Sequence, residues 1–166
     1  MSRVMVTRTV EAPVHVVWEI FTDLSGRGAW LSDVDSVELL TPGSFGPGTR
    51  WRETRGAVTE ELVVAATEPG RSCTITLAGA EASHRLTYTF TPIEIGAQRG
   101  ATTVSAIYEG RPHGLTSRFL AFFLGGLEAR TVEGALRVDL EALAAAGRAG
   151  GLSASPGRAW RGTPAA

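Results

Sequence analysis

Hydrophobic and polar residues alternate along most of the first two-thirds of the chain, then change to helical spacing. Val4, Val6 and Val10 interleave with Met5, Thr7 and Thr9, which predicts a strand over residues 3–11. Over 13–23 the period changes. Val14, Val17, Trp18 and Phe21 share one helical face, and His15, Glu19 and Thr22 the other. Pro13 suits the first turn of this helix, where its missing N–H is no loss. Asp23, Ser25 and Gly26 end the run, and Trp30 falls in or beside a short connecting turn. Residues 33–41 predict a second strand, and the TPGSFGPG stretch (41–48) must be a loop. Strand-like segments recur near 49–55, 58–67, 72–78, 83–92 and 100–110, separated by Gly56, Pro69-Gly70, Gly79 and the glycine-rich turn around Gly96 and Gly100. Short breaks between six or seven strands imply an antiparallel meander.

From about 113 to 146 the pattern is helical. Leu136, Leu140 and Leu143 form a stripe that Ala129 and Val132 extend backward, and Gly125-Gly126 marks the expected bend. The last residues, GRAGGLSASPGRAWRGTPAA, are small and aperiodic, so 148–166 is expected to be a flexible tail after a domain spanning 1–147. An antiparallel sheet must cover one face, and a single long helix is the obvious cover. A curved sheet closed around it leaves a cavity between them.

Composition narrows the chemistry. The 166 residues suit one domain, and a formal charge of −1 supplies no overall electrostatic reason to seek nucleic acid or anionic membrane. All sixteen basic residues are arginine, which rules out a Schiff-base lysine. Cys73 is the single cysteine, so there is no intrachain disulfide and no thiolate metal cluster; its strand context predicts a buried thiol. The three histidines at 15, 84 and 113 fall on different segments, so no metal site is expected. Gly43, Gly46 and Gly48 lie between strands and do not open a helix, which argues against dinucleotide binding. No motif requires a cofactor. No apolar run approaches bilayer length and no signal pattern opens the chain, so a cytoplasmic location is the default expectation.

Several stretches carry a family resemblance: Ala12-Pro13 before Val17-Trp18, Asp23, Trp30, Gly48-Thr49-Arg50-Trp51-Arg52, Glu68-Pro69, Tyr88-Thr89-Phe90, Thr102-Thr103-Val104, and Leu136, Asp139-Leu140 and Leu143. In this order and spacing, over residues 3–146, the chain resembles the START-like (SRPBCC) superfamily, close to its polyketide cyclase/dehydrase-like group. The resemblance implies an α+β helix-grip fold: a curved antiparallel sheet of six to seven strands around a long C-terminal helix, with short helices after strand 1. It implies an internal hydrophobic cavity but no single activity, because related folds carry lipids, bind partners or cyclise polyketides.

Strand alternation assigns the cavity wall. His84, Leu86, Tyr88 and Phe90 share the inward side, as do Thr102, Val104, Ala106 and Tyr108, and Cys73, Ile75 and Leu77. Arg50 and Arg52 belong outside, so Trp51 and Glu53 point in. A carboxylate facing an apolar cavity should have a raised pKa and could serve as general acid or base; alternatively Glu53 is a rim residue or the partner of Arg55 or Arg118. His84 either shuttles protons or is a strand-end residue exposed at the cavity mouth. Extrapolating the leucine stripe backward turns Arg118, Ala121, Phe122 and Gly125 inward, where Arg118 could hold an anionic oxygen, unless the glycine bend shifts the phase and brings Phe119 and Phe123 inside instead. The candidate set is therefore Glu53, His84 and Arg118 for catalysis, with Trp30, Trp51, Tyr88, Tyr108 and Phe122 as ligand contacts. The expected partner is a small hydrophobic ligand, aromatic, polyketide-like or lipid-like. If the protein is an enzyme, the resemblance points to cyclisation, aromatisation or dehydration. The contrasting reading is a non-catalytic interaction module, with the apolar segment 119–127 as a homodimer face.

Overall fold

The computed structural model describes residues 2–78, 84–110, 122 and 131–154. Seven strands carry the alternating segments: β1 (Ser2–Val10), β2 (Ser36–Leu39), β3 (Arg50–Arg55), β4 (Val58–Glu68), β5 (Ser72–Leu77), β6 (Arg85–Pro92) and β7 (Thr102–Gly110). They form one antiparallel sheet ordered β1-β7-β6-β5-β4-β3-β2. Consecutive strands from β2 onward are neighbours, and β7 returns beside β1 with Val6 opposite Ala106 and Val10 opposite Thr102. The register shifts between Val64 and Ala66 on β4, an irregularity of the kind that bends a strand. Gly56 (φ 56°) closes the tight turn between β3 and β4 in the left-handed region that favours glycine.

β1 and β2 are the two edges, so the chain between them must cross the mouth of the sheet. It does so through helix α1 (Val14–Thr22), a 3-10 turn (Leu24–Gly26) and the one-turn helix α2 (Arg27–Trp30). Pro13 caps α1 in an extended conformation, one position before the first helical residue. Its buried face is Val16, Val17 and Phe21, with Val14 and Trp18 only half-buried. The rotation from the predicted face has a cause: α1 is covered on two sides. Phe21 meets Tyr88 and Phe90 of the sheet with ring centroids 4.8 and 5.1 Å apart, whereas Val16 and Ile20 meet the C-terminal helix.

That helix, α3 (Val132–Ala154), begins where Thr131 Oγ1 accepts from the Gly134 N–H, a side-chain N-cap. Leu136, Leu140 and Leu143 are buried as their spacing predicts. The helix then continues past the predicted end at 146 and through the first seven residues of the expected tail. Gly147, Gly150 and Gly151 prolong the leucine stripe where α3 crosses the β1–α1 corner. A Cβ at Gly147 would strike Val10, and one at Gly151 would stand 2.9 Å from the Glu11 carbonyl oxygen. Glycine weakens a helix by about 1 kcal/mol per residue, but here it permits contact that no other residue allows. Residues 155–166 lie outside the described residues. Among the described residues, no helix is long and apolar enough to cross a membrane.

Gly147→Ala tests this packing. Propensity alone would make the variant more stable; the clash with fully buried, β-branched Val10 should instead cost about 1–3 kcal/mol. Urea unfolding decides the sign, and a stabilised variant would show that the corner yields.

Candidate functional site

β3 directs three successive inward positions at the helices: Trp51, Glu53 and Arg55, all fully buried. Arg50 and Arg52 face outward as alternation requires. Glu53 is the hub. Its Oε2 accepts from Arg27 Nε at 2.7 Å and Trp51 Nε1 at 2.9 Å, and its Oε1 accepts from Arg55 Nε at 2.9 Å, with Arg27 Nη2 at 3.5 Å. Arg55 Nη1 donates to Asp33 Oδ2 at 2.8 Å and lies 3.7 Å from Asp139 Oδ2. Two guanidiniums and three carboxylates thus meet within a mostly apolar core.

Local devices hold each member. The Gly26 N–H donates to Asp23 Oδ1, and a Cβ at Gly26 would crowd that carboxylate, so the turn delivers Arg27 at the start of α2. The Arg27 guanidinium carbon lies 5.6 Å from the Trp51 ring centroid and 6.0 Å from that of Trp30, within cation–π range. Hydrogen bonds from the Asp35 N–H to the Thr54 carbonyl and from the Gly56 N–H to Asp35 Oδ2 (both 2.8 Å) pin the loop before β2, so Asp33 reaches Arg55. Arg55 also stacks 5.1 Å from the Phe122 ring.

Of the two readings of Glu53, the partner of Arg55 is the one observed, and the raised pKa of the other does not hold. Burial by itself would raise its pKa, but Arg27 and Arg55 overcome that and, with the hydrogen bonds from Arg27 and Trp51, hold it at about 2. Asp139 takes the part foreseen for Glu53. Burial pushes its pKa up to about 6; Arg55 opposes this, and Asp33 adds repulsion. Among the described residues its Oδ1 has no hydrogen-bond partner. Burial likewise raises the Tyr88 hydroxyl, with Asp139 contributing, and pushes the Cys73 thiol up to about 12.

A second polar pair lies at the far end of β6 and β7. The alternative of an exposed His84 at the cavity mouth does not hold, because the ring is buried. Its Nδ1 and the Tyr108 hydroxyl are 2.6 Å apart, with the rings stacked at 5.9 Å. Gly110 makes room for the pair, since a Cβ there would be 2.5 Å from His84 Nδ1. Trp51, Tyr88, Tyr108 and Phe122 are all buried in the core, and Trp30 is half-buried, its indole nitrogen without a hydrogen-bond partner among the described residues.

The structure therefore gathers Trp30, Trp51, Glu53 and Phe122 around two arginines, and places His84 with Tyr108. Arg118, the Gly125-Gly126 bend, Phe119, Phe123 and, Phe122 apart, the rest of the 119–127 face lie outside the described residues, as do 113–118 at the start of the segment expected to close the cavity. Two surface hollows lined by described residues lie elsewhere. One of about 140 Å³ runs between Thr22–Ser25 and the Leu39–Thr49 loop; the other, of about 540 Å³, borders Val14, Arg71 and Phe90. Arg27, Asp33 and Asp139 are not among the predicted site residues. Asp139 had a signal, for it falls within the leucine stripe; so did Arg55, two positions beyond Glu53 on the same strand face. Arg27 and Asp33 had none, because a short turn has no periodicity to reveal its inward side.

A seven-stranded curved antiparallel sheet closed by a C-terminal helix defines the helix-grip class. The chain belongs to the polyketide cyclase/dehydrase and lipid transport family, whose model matches residues 1–148. No curated protein matches it in sequence. Among solved structures it is similar to a protein from Deinococcus radiodurans (21% identity, TM-score 0.56, covering 90% of this chain and 99% of that one). It is also similar to an uncharacterised protein from Bacillus thuringiensis (16%, 0.63, 87% and 98%) and one from Thermus thermophilus (21%, 0.57, 87% and 99%). At these identities the likeness is one of fold.

Two substitutions probe the cluster. Glu53→Gln leaves two buried guanidiniums without their shared anion and should cost about 3–5 kcal/mol in urea unfolding; a loss below about 1 kcal/mol would mean the arginines reach water instead. Asp139 acts in the opposite sense. Its folded pKa of about 6 exceeds the ordinary 3.8, so its contribution is greatest at low pH and is lost as pH rises through 6. Between pH 4 and pH 7, Asp139→Asn should gain on the parent by up to about 3 kcal/mol. A stability difference independent of pH would contradict the raised pKa. Glu53, held at about 2 against 4.5, contributes stability above pH 4.5 that is lost as pH falls toward 2.

Proposed function

We propose that this protein binds a small hydrophobic molecule, aromatic, polyketide-like or lipid-like, against the inner face of its sheet. The observation that carries this is the charge cluster. Five ionisable side chains lie in the interior of a domain whose core is mostly apolar, and a buried ion network is poor at stabilising a fold compared with packed hydrocarbon. Groups with strongly displaced pKa values beside a mostly apolar wall are characteristic of binding and catalytic sites. The family description, spanning polyketide cyclase/dehydrase and lipid transport, supports the same reading. Trp30, Trp51, Tyr88, Tyr108 and Phe122 supply contact area, and the cluster supplies the polar end.

A catalytic role takes the form of cofactor-independent cyclisation or dehydration. Such reactions need a folded substrate and modest proton transfer, so a shaped site provides much of the rate. Glu53 then acts through the arginines, with both oxygens already engaged. Asp139 and the His84–Tyr108 pair are the groups placed to exchange protons. Arg118 stays a candidate anion holder.

The test is a panel of aromatic polyketide mimics, fatty acids and sterols, followed by tryptophan fluorescence and thermal unfolding. A true ligand at about 100 times its Kd should raise Tm by roughly 5–10 °C and quench tryptophan emission. A flat response over the whole panel would count against the binding role.

A further inference from the structure

The short hydrogen bonds of the cluster converge on Glu53 and Asp33, and Asp139 receives little. Glu53 takes them from Arg27, Trp51 and Arg55, and Asp33 takes one from Arg55. Asp139 Oδ2 has Arg55 Nη1 at 3.7 Å, an ion-pair contact beyond hydrogen-bond length, and among the described residues Oδ1 has no hydrogen-bond partner. Yet the Asp139 side chain is 6% exposed, so bulk water does not reach it freely. An acceptor buried on α3 and unsatisfied among the described residues leaves a position that a ligand donor can fill.

The charge balance limits what that donor can be. Arg27 on α2 and Arg55 on β3 are positive; Glu53 on β3, Asp33 on the loop after α2 and Asp139 on α3 are negative. Among these described residues the cluster carries one excess negative charge when all are ionised, and Tyr88 on β6 stays a neutral phenol beside it. A ligand carboxylate or phosphate would add a second anion in a low-dielectric interior. An ammonium would stand beside the Arg55 guanidinium. A neutral O–H offends neither sign and forms a charge-assisted hydrogen bond.

Building on the binding role proposed above, we infer that the ligand's polar end is an uncharged hydroxyl, phenol or enol that donates to Asp139 Oδ1. The site then selects neutral hydroxylated molecules over acids of the same shape. In a catalytic setting the same contact would pass the enol or phenol proton to Asp139 Oδ1, breaking the ligand O–H bond and leaving an enolate or phenolate oxygen beside the neutral carboxyl.

Equilibrium dialysis at pH 7.5 with naphthalene, 2-naphthol and 2-naphthoate tests this. The expected order places 2-naphthol about tenfold to a hundredfold tighter than naphthalene, with 2-naphthoate at least about tenfold weaker than 2-naphthol. Asp139→Leu should collapse the naphthol-to-naphthalene ratio to about one. Asp139→Asn, isosteric and suited to the case where the leucine variant fails to fold, should narrow the gap between 2-naphthol and 2-naphthoate. Equal binding of 2-naphthol and naphthalene would mean that a buried water satisfies Oδ1, which overturns the inference and leaves the binding role standing. Tightest binding by 2-naphthoate would also overturn it. If none of the three binds, the binding role falls and the inference with it.

Discussion

A single carboxylate shared between two buried guanidiniums organises this molecule. Desolvating an ion costs several kcal/mol even after relaxation, so Glu53 is tolerable at zero exposure only because Arg27 and Arg55 approach from two directions and Trp51 adds a third donor. Those partners come from α2, from the same strand two positions on, and from the same strand two positions back. The requirement to neutralise one β3 side chain therefore dictates where the connection between β1 and β2 must run. It also reaches α3, because Arg55 in turn faces Asp139.

Two regimes of packing divide the inner face of the sheet. Near α1 the contact is aromatic: Trp18 and Phe21 interlock with Tyr88 and Phe90. Near α2 and α3 it is ionic, with tryptophan and phenylalanine rings flanking the arginines. An apolar wall beside a charged pole is the arrangement a pocket uses to hold a greasy molecule in one orientation. The same elements explain why α3 carries glycines near its C-terminal end. The helix must lie close enough to the β1–α1 corner to keep Asp139 over β3, and only bare Cα positions allow that approach.

Much of this architecture was legible in residue order. Period-two runs yielded every strand to within a few residues, and inward assignments for Trp51, Glu53, Tyr88, Tyr108 and Cys73 agree with their burial. Both are local consequences of the pleat. The exceptions are instructive. The run at 33–41 supplies only four strand residues, because Asp33 and Asp35 are drawn into contacts with Arg55 and the β3 turn. The end of α3 was misplaced because glycine weakens an isolated helix, whereas tight packing against Val10 and Ala12 rewards it.

The amino-acid sequence alone determined the class of fold, the face each strand side chain takes and the absence of lysine or disulfide chemistry, because these depend on near-neighbour spacing and on which residues exist. Only the tertiary structure decided the charge states. Whether a buried carboxylate is lowered to about 2 or raised to about 6 depends on which guanidiniums stand within a few ångströms of it. Arg27 and Glu53 are twenty-six positions apart in the chain, and Asp139 lies more than eighty from either of its β3 neighbours. No local pattern encodes such meetings, since they arise when the sheet curls and the helices close over it.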